Sequence, residues 1–272
     1  MPCINRENKG GGGTKRKLPS DTDVYTDKYG RIWEHITEVY KGKYQRRYTM
    51  CDSEYHGEYT EYYDTVGTRI KLSCNYVHGT LDGEHAEYFD SDDYDWVTCE
   101  LDDHELDDGL KILKTYAGGI LEGAYAKFCS PGKLQCRCNY LNDNIDGLYE
   151  EFYEEDLPRG DGELHRATKY DCSCKDGVLD GLYREYYKSG NLRSICSHID
   201  GRINGKYKEY YDDSNQLIVQ SLWENGCLQG LAEKWYKSGE LQATCLYEKN
   251  RMTRSIEYDE SGVIVRRGNP SC

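Results

Sequence analysis

Large apolar side chains are scarce in this chain. Three phenylalanines and three methionines stand among 272 residues, and only 37% of the sequence is hydrophobic against 31% charged. A thick, multilayered core is excluded, whether the length is taken as one large domain or two small ones. No run of about 18 apolar residues occurs, so no helical membrane span is expected. Basic side chains are in deficit, with 35 against 49 acidic ones and a net charge of −14, which disfavours nucleic acid and anionic lipid as partners. The one basic cluster, Lys15-Arg16-Lys17, is short.

Enzyme signatures are also missing. There is no phosphate-binding loop of the Gly-x-x-x-x-Gly-Lys type, no Gly-x-Ser-x-Gly elbow and no His-Glu-x-x-His among the seven scattered histidines. No catalytic residue and no cofactor is expected. The 13 cysteines are odd in number and no apolar leader opens the chain, which points to free thiols in a reducing, cytoplasmic setting rather than a disulfide framework.

What the chain has in abundance is tyrosine, 27 of them, in a repeated frame. Anchor glycines stand at Gly57, Gly83, Gly123, Gly147, Gly181, Gly205 and Gly230, most of them 24 to 26 residues apart. Two residues after an anchor comes Tyr59, His85, Tyr125, Tyr149, Tyr183, Tyr207 or Ala232, and five and six after it come pairs such as Tyr62-Tyr63, Tyr186-Tyr187 and Trp235-Tyr236. That pattern predicts β-strand. Turn residues such as Ser189-Gly190 and Ser238-Gly239 follow, and then a strand of period two, as in Leu192-x-Ser194-x-Cys196-x-His198. A second turn falls four residues before the next anchor, at Gly79, Gly119, Gly177, Gly201 and Gly226, with Asp143 and Asn250 as substitutes. Each unit is therefore one hairpin, and successive hairpins extend a single antiparallel sheet of roughly 14 to 18 strands, about 70–85 Å long.

These residues resemble the MORN repeat family, in the variety whose units read Gly-x-Tyr-x-Glu-Tyr-Tyr-x-x-Gly-x-Leu, over about residues 57 to 262. The resemblance implies an all-β, elongated single sheet of stacked hairpins that serves as a scaffold or protein-interaction surface. Members occur in bacterial, antitoxin-like and large-virus proteins, so a virus-infected cell or a virion is a further setting, and some are linked to membranes. The alternatives to a protein-binding scaffold are a peripheral membrane protein, which the net acidity disfavours, and a structural zinc protein.

The domain plan that follows is a flexible tail over 1–22 and a repeat domain over 23–272, with degenerate entry units at 23–56, repeats over about 57–252 and a C-terminal cap at 253–272. Two insertions interrupt the frame, "DSDDYDWVTCELDDHELDD" and "EEDLPRGDGELH", expected as longer hairpin tips or a degenerate extra unit.

For zinc the candidates are the Cys-x-Cys pairs Cys136, Cys138, Cys172 and Cys174. Against them, Cys74, Cys138, Cys172, Cys196 and Cys245 occupy one column of the repeat with Ser221, which predicts small residues packed on a sheet face. Glu61, Glu87, Glu151, Glu185 and Glu209 form another column, expected as a solvated ladder rather than paired catalytic carboxylates. Asp90, Asp92, Asp93 and Asp95 lack the glycine and glutamate that a calcium loop needs and are expected as a charge cluster. A sheet of this kind leaves two edges open to a protein partner or to a second copy of the chain.

Overall fold

The computed structural model describes residues 21–90, 109–158 and 164–268. Twenty-two strand segments, β1 (Asp21–Thr26) to β22 (Ile264–Gly268), form one antiparallel sheet, and no helix occurs among the described residues. Three of the rungs are interrupted strands: β10 (Asn144–Ile145) with β11 (Gly147–Pro158), β15 (Arg202–Ile203) with β16 (Gly205–Tyr210), and β18 (Cys227–Leu228) with β19 (Gly230–Trp235). In each case both pieces pair with the same preceding strand. The segments therefore make 19 rungs, spanning about 85 Å at the usual strand spacing. That is one more than the upper end of the expected count, and the expected entry region at 23–56 contributes most of β1, β2 (Ile32–Tyr40), β3 (Tyr44–Cys51) and the start of β4 (Glu54–Tyr62). β1 also takes in Asp21 and Thr22, which the sequence assigned to the tail; the rest of that segment lies outside the described residues.

The hairpins close as the turn chemistry predicts. Asp176 and Gly177, with φ of 50° and 77°, link the paired residues Lys175 and Val178, and two-residue turns with positive φ at both positions recur at His78-Gly79, Asp200-Gly201 and Asn225-Gly226. This is the type I′ geometry that matches strand twist. Lys249-Asn250 and Asn142-Asp143 reach the same conformation without glycine.

In most units both ends of the hairpin are tied to a neighbouring unit. At one end the turn amide donates to a carbonyl of the preceding unit: Gly79 N to Tyr55 O, Gly177 N to Ile145 O, Gly201 N to Leu179 O and Gly226 N to Ile203 O, at 2.8–2.9 Å. At the other, the second tyrosine of the Tyr-Tyr pair donates its hydroxyl forward. Tyr63 reaches Tyr88 O, Tyr153 reaches Tyr186 O, Tyr187 reaches Tyr210 O and Tyr236 reaches Tyr258 O at 2.7–2.8 Å, and Tyr211 reaches Trp235 O at 3.2 Å. The sheet, which has no second layer among the described residues, is thus held by hydrogen bonds along its long axis as well as by its strand ladder.

β6 (Thr80–Tyr88) pairs directly with β7 (Leu110–Ala117), and Phe89 N donates to Gly109 O; residues 91–108, the bulk of the acidic insertion, lie outside the described residues. β11 and β12 (Leu164–Lys175) stay paired out to Pro158 and Leu164 after a bulge, which lengthens that hairpin. Beside the first insertion sits the one hydrophobic cluster of the described residues, in which Ala86, Leu110 and Phe128 are buried against Tyr88, Phe89, Leu113, Ala126 and Leu134.

Candidate interaction surface

Residues paired across neighbouring rungs share a face, so the register divides the sheet into two chemically different sides. On the first, the tyrosine two after the anchor stands opposite the cysteine column: Tyr59 with Cys74, Tyr125 with Cys138, Tyr149 with Cys172 and then Tyr183, and Tyr183 with Cys196. Rings close over the small thiols. Tyr149, Tyr170 and Tyr183 stack in sequence at centroid distances of 5.7 and 5.8 Å, and Tyr183 meets His198 edge-on at 6.0 Å. Near the N-terminal end Tyr48, Tyr55, Tyr59 and Tyr76 form a denser cluster with spacings of 5.2–6.0 Å. Cys74, Cys138, Cys172 and Cys196 are 4–6% exposed beneath these rings. Burial pushes the Cys74 thiol up to about 11 and those of Cys138 and Cys172 up to about 12.

The glutamate column lies on the same face, and it is more sheltered than a solvated ladder. Glu61 accepts from Tyr59 at 2.8 Å and pairs with Arg46 at 3.0 Å and Lys71 at 3.6 Å. Glu151 accepts from Lys169 at 2.8 Å, Tyr170 at 2.7 Å and Tyr149 at 3.3 Å. Burial alone would raise the Glu151 carboxyl, but these donors overcome it and hold the group below its ordinary value. Glu61 and Glu151 are thus engaged acceptors within the sheet.

The four zinc candidates do not converge. Cys136 and Cys138 sit on β9 (Lys133–Leu141) and Cys172 and Cys174 on β12, with the whole of β11 between them. Cys172 Sγ and Cys174 Sγ are 3.9 Å apart, whereas Tyr149 of β11, in register with Cys172, is interposed towards the other pair. Among the described residues no group of three or more His, Cys, Asp and Glu is placed to hold a metal. Of the acidic cluster, Asp90 is engaged by Arg69 at 2.5 Å; Asp92, Asp93 and Asp95 lie outside the described residues.

The opposite face carries exposed leucines. Leu231 pairs with Leu246 across β19 and β20 (Leu241–Glu248), and Leu222 of β17 (Leu217–Glu224) lies on the adjoining rung beside Gly230; Leu182 and Leu148 stand on the same face further along, separated from this trio and from each other by Lys206, Ser197 and Ser173. All five are 39–50% exposed. Next to these leucines runs a charged row, with Arg137 on Glu150 at 2.5 Å and Arg184 on Asp171 at 3.0 Å; Tyr186 also donates to Asp171 at 2.8 Å. The same face holds an open trough of about 300 Å³ near the N-terminal end, lined by His35, Thr37, Arg47, Thr49, Thr60 and Tyr62. Within it His35 Nδ1 and Thr49 Oγ1 lie 3.0 Å apart in a hydrogen bond.

These exposed leucines are what sequence reading missed. Their signal was present in the residue directly after the anchor, Leu148, Leu182 and Leu231, which alternation places on the side away from the tyrosines.

The family description of the MORN repeat variant matches residues 179–200 and 228–249, which run from β13 (Val178–Tyr186) into β14 (Leu192–Ile199) and from the end of β18 through β20. The chain carries MORN-variant repeats at these two places. No curated protein matches the sequence.

Proposed function

We propose that this MORN-repeat chain is a non-enzymatic scaffold that docks a basic protein partner along its leucine face, within a reducing compartment. The observation that carries the reading is the trio of exposed leucines Leu222, Leu231 and Leu246 on adjacent rungs, uncovered by any second layer among the described residues. Contiguous exposed apolar surface is characteristic of interaction sites, and here it is flat and presented at a fixed spacing by rigid strands. The partner's sign follows from the net charge of −14, which draws a basic surface and repels an acidic one. Satisfied glutamates and thiols raised well above their ordinary range give the tyrosine face structural work to do, not chemistry.

Crosslinking mass spectrometry in the native source tests the proposal. Crosslinks should map to the leucine face, and Leu231→Glu with Leu246→Glu should abolish them while leaving the circular dichroism unchanged. A partner that maps to the tyrosine face, or that the double variant still holds, defeats it. Flotation with anionic vesicles separates the peripheral-membrane alternative, which requires binding at low salt that the scaffold reading does not.

A further inference from the structure

The two ends of the sheet differ in a way that the repeat itself does not require. Among the described residues β1 pairs only with β2, and β22 pairs only with β21 (Arg251–Tyr258), so each presents an outer row of backbone donors and acceptors. All six residues of β1 are exposed, as are the first four of β22. Edge strands are templates for further pairing unless something blunts them. Neither of these strands contains a proline, and β1 pairs with β2 in unbroken register.

The chemistry of the two edges is complementary. β1 reads Asp-Thr-Asp-Val-Tyr-Thr, with acids at Asp21 and Asp23, and β22 reads Ile-Val-Arg-Arg-Gly, with Arg266 and Arg267. Each also exposes apolar side chains: Val24 and Tyr25 on one, Ile264 and Val265 on the other. Joining β1 to β1 would bring acids together, and joining β22 to β22 would bring arginines together; both are penalised on a ladder. Only the mixed joint pairs opposite charges. Arg267, Asp21 and Asp23 make no ion pair among the described residues, and Arg266 has only a 3.8 Å contact with the half-exposed Glu257.

We propose that copies of this chain assemble end to end, the β22 edge of one molecule pairing with the β1 edge of the next. Eighteen antiparallel steps separate the two edge strands, so within one molecule they run in the same direction. An antiparallel joint therefore turns each successive copy over about the long axis. One such register sets Val265 against Val24, Ile264 against Tyr25 and Arg266 against Asp23, placing apolar beside apolar and base beside acid. The contact is heterologous and does not close on itself, so it generates open chains rather than a dimer. It uses neither face of the sheet and stands or falls separately from the leucine docking surface.

Light scattering of the purified full chain, from micromolar to near-millimolar concentration, reads the proposal directly. The weight-average mass should climb continuously above 31.5 kDa, and fall back as salt approaches 1 M, where the screening length is about 3 Å. Arg266→Glu with Arg267→Glu should hold the chain at the mass of one copy, and so should Asp21→Lys with Asp23→Lys. Mixing the two charge-reversed proteins restores opposite charge at every joint and should restore growth, which also rules out misfolding as the cause of the single-variant result. A wild-type chain that stays at 31.5 kDa throughout, a dimer that grows no further, or growth indifferent to both reversals overturns it.

Discussion

Replacing Tyr187 with phenylalanine removes one oxygen from the axial ties and nothing else. That hydroxyl donates to the Tyr210 carbonyl at 2.8 Å across the boundary between two units, in a half-buried position. A net intramolecular hydrogen bond contributes about 0.5–1.5 kcal/mol, and the carbonyl left behind is near enough to solvent to recover water, so a loss of about 1 kcal/mol is expected. In a stacked array, stability is close to a sum of unit and neighbour contributions, which confines that loss to one joint. Hydrogen exchange followed by mass spectrometry should show amides of β16 and β17 opening about fivefold faster, since about 1 kcal/mol is a factor of roughly five in an equilibrium. The strands β20 to β22 should be unaffected. Tyr186→Phe is the control, because its hydroxyl bonds Asp171 on β12 and its effect should appear on β12 and β13 instead. Uniform acceleration along the whole chain, or none anywhere, would refute the assignment of Tyr187 to a single joint.

Burial raises Tyr48, Tyr76, Tyr125 and Tyr170 to about 12, and Tyr59 and Tyr149 are raised also. A folded value above the unfolded one means stability that is complete below about pH 10 and is lost as pH rises through about 12, so absorbance at the phenolate band should rise late and together with unfolding; gradual ionisation in a folded chain would contradict it. The Cys74, Cys138 and Cys172 thiols, at about 11 to 12, should carry roughly 0.1% thiolate or less at pH 8 and alkylate far more slowly than the less buried Cys227, as peptide mapping after iodoacetamide will show; equal rates would mean that the tyrosine cover is open.

The periodic parts of this structure were legible because hairpin turns impose local chemistry. Positive φ at Gly177 or Gly201 is written in the sequence, and so is the alternation that seats Cys196 under Tyr183. Even the degenerate ends obey it: Asp27 and Asp259 accept amides from Tyr29 and Arg31, and from Ser261 and Val263, in turns built like those of the repeats. What the sequence concealed depends on how rungs add up. The interposition of β11 between the Cys-x-Cys pairs follows from strand order, so two motifs in neighbouring units looked close enough to share an ion. The exposed leucines were hidden for a related reason, since they count as core until the sheet proves to have nothing stacked on that side among the described residues.

The departures from periodicity also have a common physical logic. The forward hydroxyl ties are present at Tyr63, Tyr153, Tyr187, Tyr211 and Tyr236, and the two intervening units place Phe89 and Cys129 in that column, neither of which has a hydroxyl. These are the units that flank the acidic insertion and carry the Ala86, Leu110 and Phe128 cluster. Apolar packing there takes over what hydrogen bonding does elsewhere. At Cys129 a second device is added: Arg166, from the lengthened β11–β12 hairpin, reaches its Sγ at 3.4 Å and donates to Leu134 O at 2.8 Å and Glu154 O at 2.5 Å. A guanidinium with several donors spans a joint that a cysteine cannot. Arg166 of the second insertion's hairpin thereby reaches across two rungs to the unit where the tyrosine tie is missing.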